Sequence, residues 1–214
     1  MTDEPRDAVD LSLPLKPGML KFPDDPDLVV HSECIDYGQE KLRLSMVELG
    51  LHLGTHLDAP SHFLKGGMTV DQIPPTAFLG TVRVVDLGAV ERGITRADLE
   101  KLVIPKRARL FLKTRNSRLL GQEEYRDDHV YLESAAARHL VDDLEVRLLG
   151  FDYYNLDSSA LKSLESHMVF ARADVPVICA LNLSGIGEGD YGFSATPLPL
   201  VGLEASPVRV FVWK

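Results

Sequence analysis

Between residues 52 and 62 the chain reads His52-Leu-Gly-Thr-His56-Leu-Asp58-Ala-Pro-Ser-His62, four side chains able to bind a metal or move a proton, punctuated by Gly54 and Pro60. From Val47 to Leu57 the odd positions Val47, Leu49, Leu51, Leu53 and Leu57 are apolar, while the even positions include Glu48, His52 and His56. That period of two predicts an extended segment with one buried face, and with His52, His56 and Asp58 together on the other. Four residues of straight strand would hold His52 and His56 about 13 Å apart, whereas atoms sharing a metal lie about 2 Å from it. The strand must therefore bend, and Gly54 is the residue that permits it. A helix would also pair His52 with His56 at i and i+4, but Gly54, Thr55 and Pro60 disfavour one.

Two neutral imidazoles and one carboxylate suit Zn, Mn or Fe, and three protein ligands leave a position open to water. A divalent ion lowers the pKa of such a water from about 15.7 to about 7, which makes it a nucleophile at neutral pH. His62, past the turn at Pro60, can carry the proton that turnover moves, since histidine titrates near working pH. The plainer reading, hydrogen-bonded histidines without a ligand, holds for most single histidines. It weakens for three beside Asp58 on the polar side of an apolar segment. His31, His129 and His139 fall outside the motif and are read as structural.

Apolar, β-branched runs at Thr81–Leu87, Arg109–Lys113, Val146–Gly150, Val175–Leu183 and Val208–Trp213 predict strands, several buried on both faces. Thr95 and Asp98 have the spacing of a capping box before one helix, Ser134 to Asp143 predicts a second, and residues 159 to 173 a third. Alternating strands and helices give an α/β (α+β) domain spanning residues 1–214. The helix-free stretch Val29 to Leu57 suggests a separate β layer. Pro23 to Pro26, Pro74-Pro75 and Pro197 to Pro199 read as loops.

A net charge of -9 argues against nucleic acid as a partner. The basic stretch from Lys106 to Arg118 is interleaved with Leu110, Phe111 and Leu112, as in a strand with solvated flanks. Only two cysteines are present, Cys34 and Cys179, far apart and without CxxC spacing, so a disulfide framework is not expected and a reducing cytoplasm is the simplest compartment. The acidic amino terminus lacks the pattern of a signal peptide, and no apolar run is long enough for a spanning helix, so no membrane partner is expected.

The His52 to His62 segment resembles the signature His-x-Gly-Thr-His-x-Asp-x-Pro-x-His of the cyclase-like metal-dependent hydrolases, which include bacterial kynurenine formamidase and isatin hydrolase. The likeness extends to Asp10-Leu-Ser-Leu-Pro-Leu with Pro17-Gly18, to Gly66 through Asp71 with Pro74, and to Lys113-Thr-Arg-Asn-Ser117. It continues in Gly150-Phe-Asp152 with Asp157, in Asn182-Leu183, and in the segment from Pro197 to Arg209. It implies a single swivelling β/β/α domain, usually in a homo-oligomer (dimer or tetramer), that hydrolyses a small-molecule amide with a divalent metal, Zn or Mn. His52, His56 and Asp58 would be the metal ligands and His62 the catalytic histidine. His167 would line the same site and hold a second ion in the formamidases. A glutamate is expected about twelve residues after it, where this chain has Cys179, either a thiolate ligand or an inert buried thiol. Phe22, Tyr153 and Tyr154 are candidates to wall an aromatic substrate, and Thr114 and Asn116 would face the pocket.

The resulting expectation is an arylformamidase-like hydrolase that converts N-formylkynurenine to kynurenine and formate. The alternatives are an isatin hydrolase-like enzyme opening a cyclic amide or lactone, and a catalytically inactive metal-binding relative.

Overall fold

The computed structural model describes residues 7–162 and 164–214. Most of the acidic amino-terminal segment, residues 1–6, lies outside the described residues. Among the described residues are twelve strands: β1 (Val9–Asp10), β2 (Val29–Tyr37), β3 (Glu40–Glu48), β4 (His56–Asp58), β5 (Leu79–Asp86), β6 (Gly93–Ile94), β7 (Arg109–Lys113), β8 (Tyr131–Leu132), β9 (Leu148–Phe151), β10 (Val177–Cys179), β11 (Gly189–Pro197) and β12 (Ala205–Trp213). Three α-helices accompany them among the described residues: α1 (Arg96–Leu99), α2 (Ser134–Arg138) and α3 (Glu165–Arg172). Eight strands form one sheet in the order β1-β12-β11-β5-β7-β9-β10-β4. Because β4 pairs with β12 as well as with β10, this sheet closes on itself.

Neighbours β5, β7, β9 and β10 run parallel. Parallel neighbours need crossovers, and the segments carrying α1, α2 and α3 supply them. Strand alternation then sorts the core into two layers. Val82, Val84, Phe111, Leu148, Ile178 and Val210 pack on the inside of the closed sheet. Val85, Leu110, Leu112, Leu149 and Phe151 pack outward against Ala136, Ala137 and Leu140 of the α2 segment and Phe170 of α3. Being covered on both faces is why these runs read as nearly unbroken apolar sequence. Gly150 belongs to the inner layer, where a Cβ would run into Phe111 and Leu181.

The capping box forms as expected: the Asp98 amide donates to Thr95 Oγ1 at 3.2 Å and the Thr95 amide donates to Asp98 Oδ2 at 3.1 Å. The second helix continues beyond Arg138 as a wide, π-helical turn from His139 to Asp143. The third is shorter than expected, with a single turn at Ser159–Leu161 followed by a helix only from Glu165 to Arg172. The sequence reading did not anticipate β11, whose buried Tyr191, Phe193 and Ala195 alternate with Gly192, Ser194 and Thr196.

The helix-free stretch after Val29 forms a separate two-stranded sheet, β2 paired with β3. It ends at Glu48, and the expected continuous strand from Val47 to Leu57 is corrected by the structure. Val47 is exposed, and the chain turns through residues 49–55 before β4 begins. The turn is fixed by Leu53 N–H donating to Gly50 O at 3.2 Å, and Pro26 occupies the space that a side chain at Gly50 would need. Gly54 supplies the bend with φ +66°, and an added Cβ there would sit 2.6 Å from Leu15 Cδ2. Both the left-handed backbone and the clash oppose a side chain. Gly54→Ala is therefore expected to lower stability by about 1–2 kcal/mol from the backbone alone. Urea unfolding checks it, and an unchanged midpoint would contradict this account of the turn.

Candidate metal and active site

Strand β4 carries His56 and Asp58 at alternate positions, so they share a face, while Leu57 between them is buried in the inner core. Thr55 locks the entry to this strand: its hydroxyl donates to Ala180 O at 2.7 Å and accepts from Leu13 N–H at 2.9 Å. His52 returns to the same spot from the turn before Gly54, and its Nδ1 lies 2.8 Å from Asp58 Oδ1. His56 Nε2 lies 3.5 Å from the same oxygen. The other ring nitrogen of His56, Nδ1, is 2.8 Å from Gly54 O. A carbonyl only accepts, so Nδ1 carries the proton and Nε2 keeps its lone pair toward Asp58. One ligand atom from each of His52, His56 and Asp58 falls within 4.8 Å of the others.

Asp58 Oδ1 is buried with no hydrogen-bond partner of acceptable geometry. A buried charged oxygen left in this way costs several kcal/mol unless a cation meets it. Burial alone would raise the Asp58 carboxyl, yet His56 and then His52, both close to it, hold it well below its ordinary range. At His52, burial works downward and the Asp58 carboxylate beside it overcomes that, so that pKa is raised. The cluster attracts positive charge, whether as a proton or as a metal ion. Two imidazoles with lone pairs to offer and an orphaned carboxylate oxygen fit a divalent cation with three protein ligands.

These three side chains line a cavity of about 350 Å³ together with Phe22, Asp25, His62, Phe63, Tyr154, Asn155, Leu164 and His167. His62 follows β4 in a short turn at Pro60–His62 and is exposed at the mouth. Its ring centroid is 4.1 Å from that of His52. Burial of the ring, with the charges of His52 and His167, lowers its pKa despite Asp58. His167, on α3, is stacked on Phe63, and its Nδ1 lies 2.6 Å from Asp157 Oδ2. Asp157 also accepts the backbone N–H of Ser166 and of His167. Cys179 ends β10 directly opposite His56, fully buried, with Sγ 3.7 Å from Asp58 Oδ2.

The structure thus gathers His52, His56, Asp58, His62, His167 and Cys179, and places Phe22 and Tyr154 on the cavity wall. Tyr153 does not line the cavity: it is fully buried, stacked on His129. Thr114 and Asn116 are likewise corrected. Both are buried away from the cavity, because Asp152 draws in the amide and hydroxyl of Thr114, while Asn116 exchanges hydrogen bonds with the backbone of Val130. Sequence reasoning missed Asp25, Phe63, Asn155 and Glu204, whose Oε1 lies 3.8 Å from His52 Nε2. Of these only Phe63 carried a signal, its place next to His62. His31 is exposed on β2, His129 is held between carbonyls of Arg126 and Asp157, and His139 pairs with Asp143.

The Cyclase family model matches residues 9–158, which include the whole segment from His52 to His62. The chain belongs to the Cyclase family. A kynurenine formamidase of Paracidovorax citrulli is 32% identical over 220 residues, covering 96% of this chain and 95% of its own length. A solved structure from Bacillus stearothermophilus, described as a predicted metal-dependent hydrolase, is 30% identical and superposes with a TM-score of 0.82, covering 96% of this chain and 97% of that one. Isatin hydrolase A of Labrenzia aggregata, bound to benzyl benzoate, shares the fold at 23% identity and a TM-score of 0.83, covering 96% of this chain and 92% of its own.

His56 makes the site sensitive to acid. Burial, aided by His52 and His62, pushes its imidazole down to about 4 against the pull of Asp58. In the metal-free protein, His56 of the unfolded chain takes up a proton below about pH 6.5 that the folded chain refuses until about 4. Its contribution to stability is therefore lost as pH falls through that window, by on the order of 3 kcal/mol at full extent. His52 is shifted the opposite way, so a comparison of variants isolates His56. In chelator-treated protein, His56→Gln is expected to flatten the fall in unfolding free energy between about pH 6.5 and pH 4, and equal slopes in the two proteins would contradict this reading.

Proposed function

We propose that this chain hydrolyses the C–N bond of an arylformamide, N-formylkynurenine in the first instance, to the free arylamine and formate. His52, His56 and Asp58 would hold one divalent ion, Zn or Mn. The observation that carries this reading is the buried, unpartnered Asp58 oxygen facing two imidazoles at the floor of a cavity whose mouth holds His62. Full-length likeness to proteins named kynurenine formamidase supports the substrate class.

When bound, the ion supplies a water of lowered pKa and polarises a carbonyl oxygen. The rest falls to the chain's own residues. His62, neutral at working pH and open to solvent, accepts the proton of the attacking water and returns it to the departing amine nitrogen. Phe22, Phe63 and Tyr154 flank the cavity with aromatic surface suited to an aryl ring, and Tyr154 is held in place by donating its hydroxyl to Leu20 O. A volume near 350 Å³ suits one aromatic ring with a short side chain. The Gly54 carbonyl fixes the tautomer of His56, and Glu204 flanks the far side of His52.

The test separates ligand from proton carrier. His56→Ala is expected to abolish metal retention and turnover, whereas His62→Ala retains the metal and loses about 100-fold or more in kcat, the usual scale of general acid–base catalysis. Metal content per chain and assays on N-formylkynurenine and isatin check this. Equal metal loss in both variants would contradict the division of roles. Turnover of isatin alone would favour the cyclic amide or lactone reading, and retained metal with no turnover of either would favour an inactive relative.

Residues 1–214 are proposed to act as one catalytic unit in the cytoplasm. Among the described residues no helix is long and apolar enough to cross a membrane. The unit is proposed to assemble with further copies of itself through the β2–β3 ribbon. Its register puts Ile35, Tyr37, Leu42, Leu44 and Met46 on one face, all exposed, with Arg43, Asp36 and Lys41 on the other. A lone two-stranded ribbon is marginal in water and an apolar stripe of this kind calls for a cover. A second copy is the fitting occupant, since the chain offers a second apolar patch at Leu198, Val201 and Leu203. Replacing Leu44 and Met46 together by Lys is expected to lower the assembly to monomer in sedimentation velocity, with the circular dichroism unchanged. An unaltered mass would refute this interface.

A further inference from the structure

We infer that Asp25 makes the cavity selective for a substrate whose aryl ring carries a protonated amine on a short side chain, its carboxylate receiving the ammonium group. The inference rests on the arylformamide reading and names the feature by which that site would tell one formamide from another. Asp25 lines the same cavity as His52, and its Oδ2 is buried without a hydrogen-bond partner. Such an oxygen is costly to leave unmet, and a charged donor is the partner that satisfies it best. The ammonium group of Lys21 is committed elsewhere: its Nζ donates to the backbone carbonyl of Asp25 and pairs with Asp27 Oδ1 at 3.1 Å.

The local backbone fixes this carboxylate relative to the aromatic wall. Asp25 N–H donates to Phe22 O at 3.2 Å, closing a turn with Pro23 in its second position and Asp24, at φ +71°, in its third. Proline presets the backbone at the one position and aspartate tolerates the left-handed region at the other, the pattern of a type II turn. Phe22 and Asp25 are thus the two ends of one turn, and both line the cavity. The Phe22 ring is steadied against the Tyr125 ring, edge to face with centroids 5.3 Å apart. On the other flank, Pro26 fills the space beside Gly50, next to the segment that bears His52. Since the ends of such a turn lie within about 7 Å of each other, a ring resting on Phe22 would have the Asp25 carboxylate within reach of a side chain of a few single bonds.

The charges of the cavity agree with this. Among the described residues that line it there is no lysine or arginine, and its carboxylates are Asp25 and Asp58. Asp58 is engaged with His52 and His56. Asp25 is therefore the acid left for a ligand, while a carboxylate on the substrate side chain would find no lysine or arginine on these walls. Phe22 and Tyr154 add to the preference, because an aromatic face attracts a cation. In N-formylkynurenine the amine and the carboxylate stand on the same side-chain carbon, so the amine would turn to Asp25 and the carboxylate to solvent.

Three formamides test this: N-formylkynurenine, its analogue without the α-amino group and its analogue without the α-carboxylate. The unaltered protein is expected to turn over all three, with KM higher by about 10-fold or more for the analogue that lacks the amine and little changed for the one that lacks the carboxylate. Asp25→Asn keeps the shape and removes the charge. It is expected to erase the difference, KM for both amine-bearing substrates rising to that of the amine-free analogue, with metal content per chain retained. A carboxylate that only steadies His52 or the turn would instead lose metal on substitution or raise KM for all three substrates together, and either result would overturn the inference. Equal KM values of the unaltered protein for the amine-bearing and amine-free substrates would overturn it as well, which decides the matter even if Asp25→Asn fails to fold. In each of these cases hydrolysis of a formamide leaves the proposed function standing. No hydrolysis of any of the three would overturn that function, and this inference with it.

Discussion

A carboxylate oxygen sealed in the protein without a hydrogen-bond partner is the constraint around which this structure is arranged. Asp58 sits on a three-residue strand that closes the main sheet by pairing with β10 on one side and β12 on the other. Closure of the sheet and placement of the charge are thus the same structural event. Leaving such a group unmet costs several kcal/mol, and the basic side chains beside it among the described residues, His52 and His56, are imidazoles whose own protonation burial opposes. A divalent ion would resolve that conflict, because it would satisfy the carboxylate and leave the imidazoles neutral.

The scaffold divides rigid from accessible. His56 and Asp58 on β4 are pinned from below by Leu57 in the inner core and from the side by Thr55. His62 and Phe22 stand at the rim, exposed to solvent, where the proposed proton carrier would need to be. His167 and Cys179 come from α3 and β10, the last parallel crossover, and each brings a polar atom within 4.8 Å of the Asp58 carboxylate. Several distant segments thereby converge on one carboxylate, which is why the site depends on the whole sheet and not on the motif alone.

How much of this could be read from the sequence differs by residue. That His52, His56, Asp58 and His62 come together was legible because they lie close in sequence, within one short segment. The two-sided strands were legible because burial on both faces leaves runs such as Leu110-Phe-Leu112 without a polar break. The path into β4 was misread as one long alternating strand. Alternation of residue types does not reveal that the chain reverses at Gly50 and Gly54, where the controlling contacts come from Pro26 and Leu15, far off in sequence. Thr114 and Asn116 were misplaced for a similar reason: their polar groups serve Asp152 and Val130, and a buried network looks the same in sequence as a pocket wall. Asp25 and Glu204 reach the site from loops that carry no periodic signal.

The central claim is that His52, His56 and Asp58 converge on one divalent ion. It is tested most directly by diffraction from crystals of the purified protein, recorded above and below the zinc and manganese absorption edges. The account predicts an anomalous peak within bonding distance of His52, His56 and Asp58 in every copy. Well-ordered side chains at those three positions with no anomalous density between them, even after soaking in zinc or manganese, would contradict it.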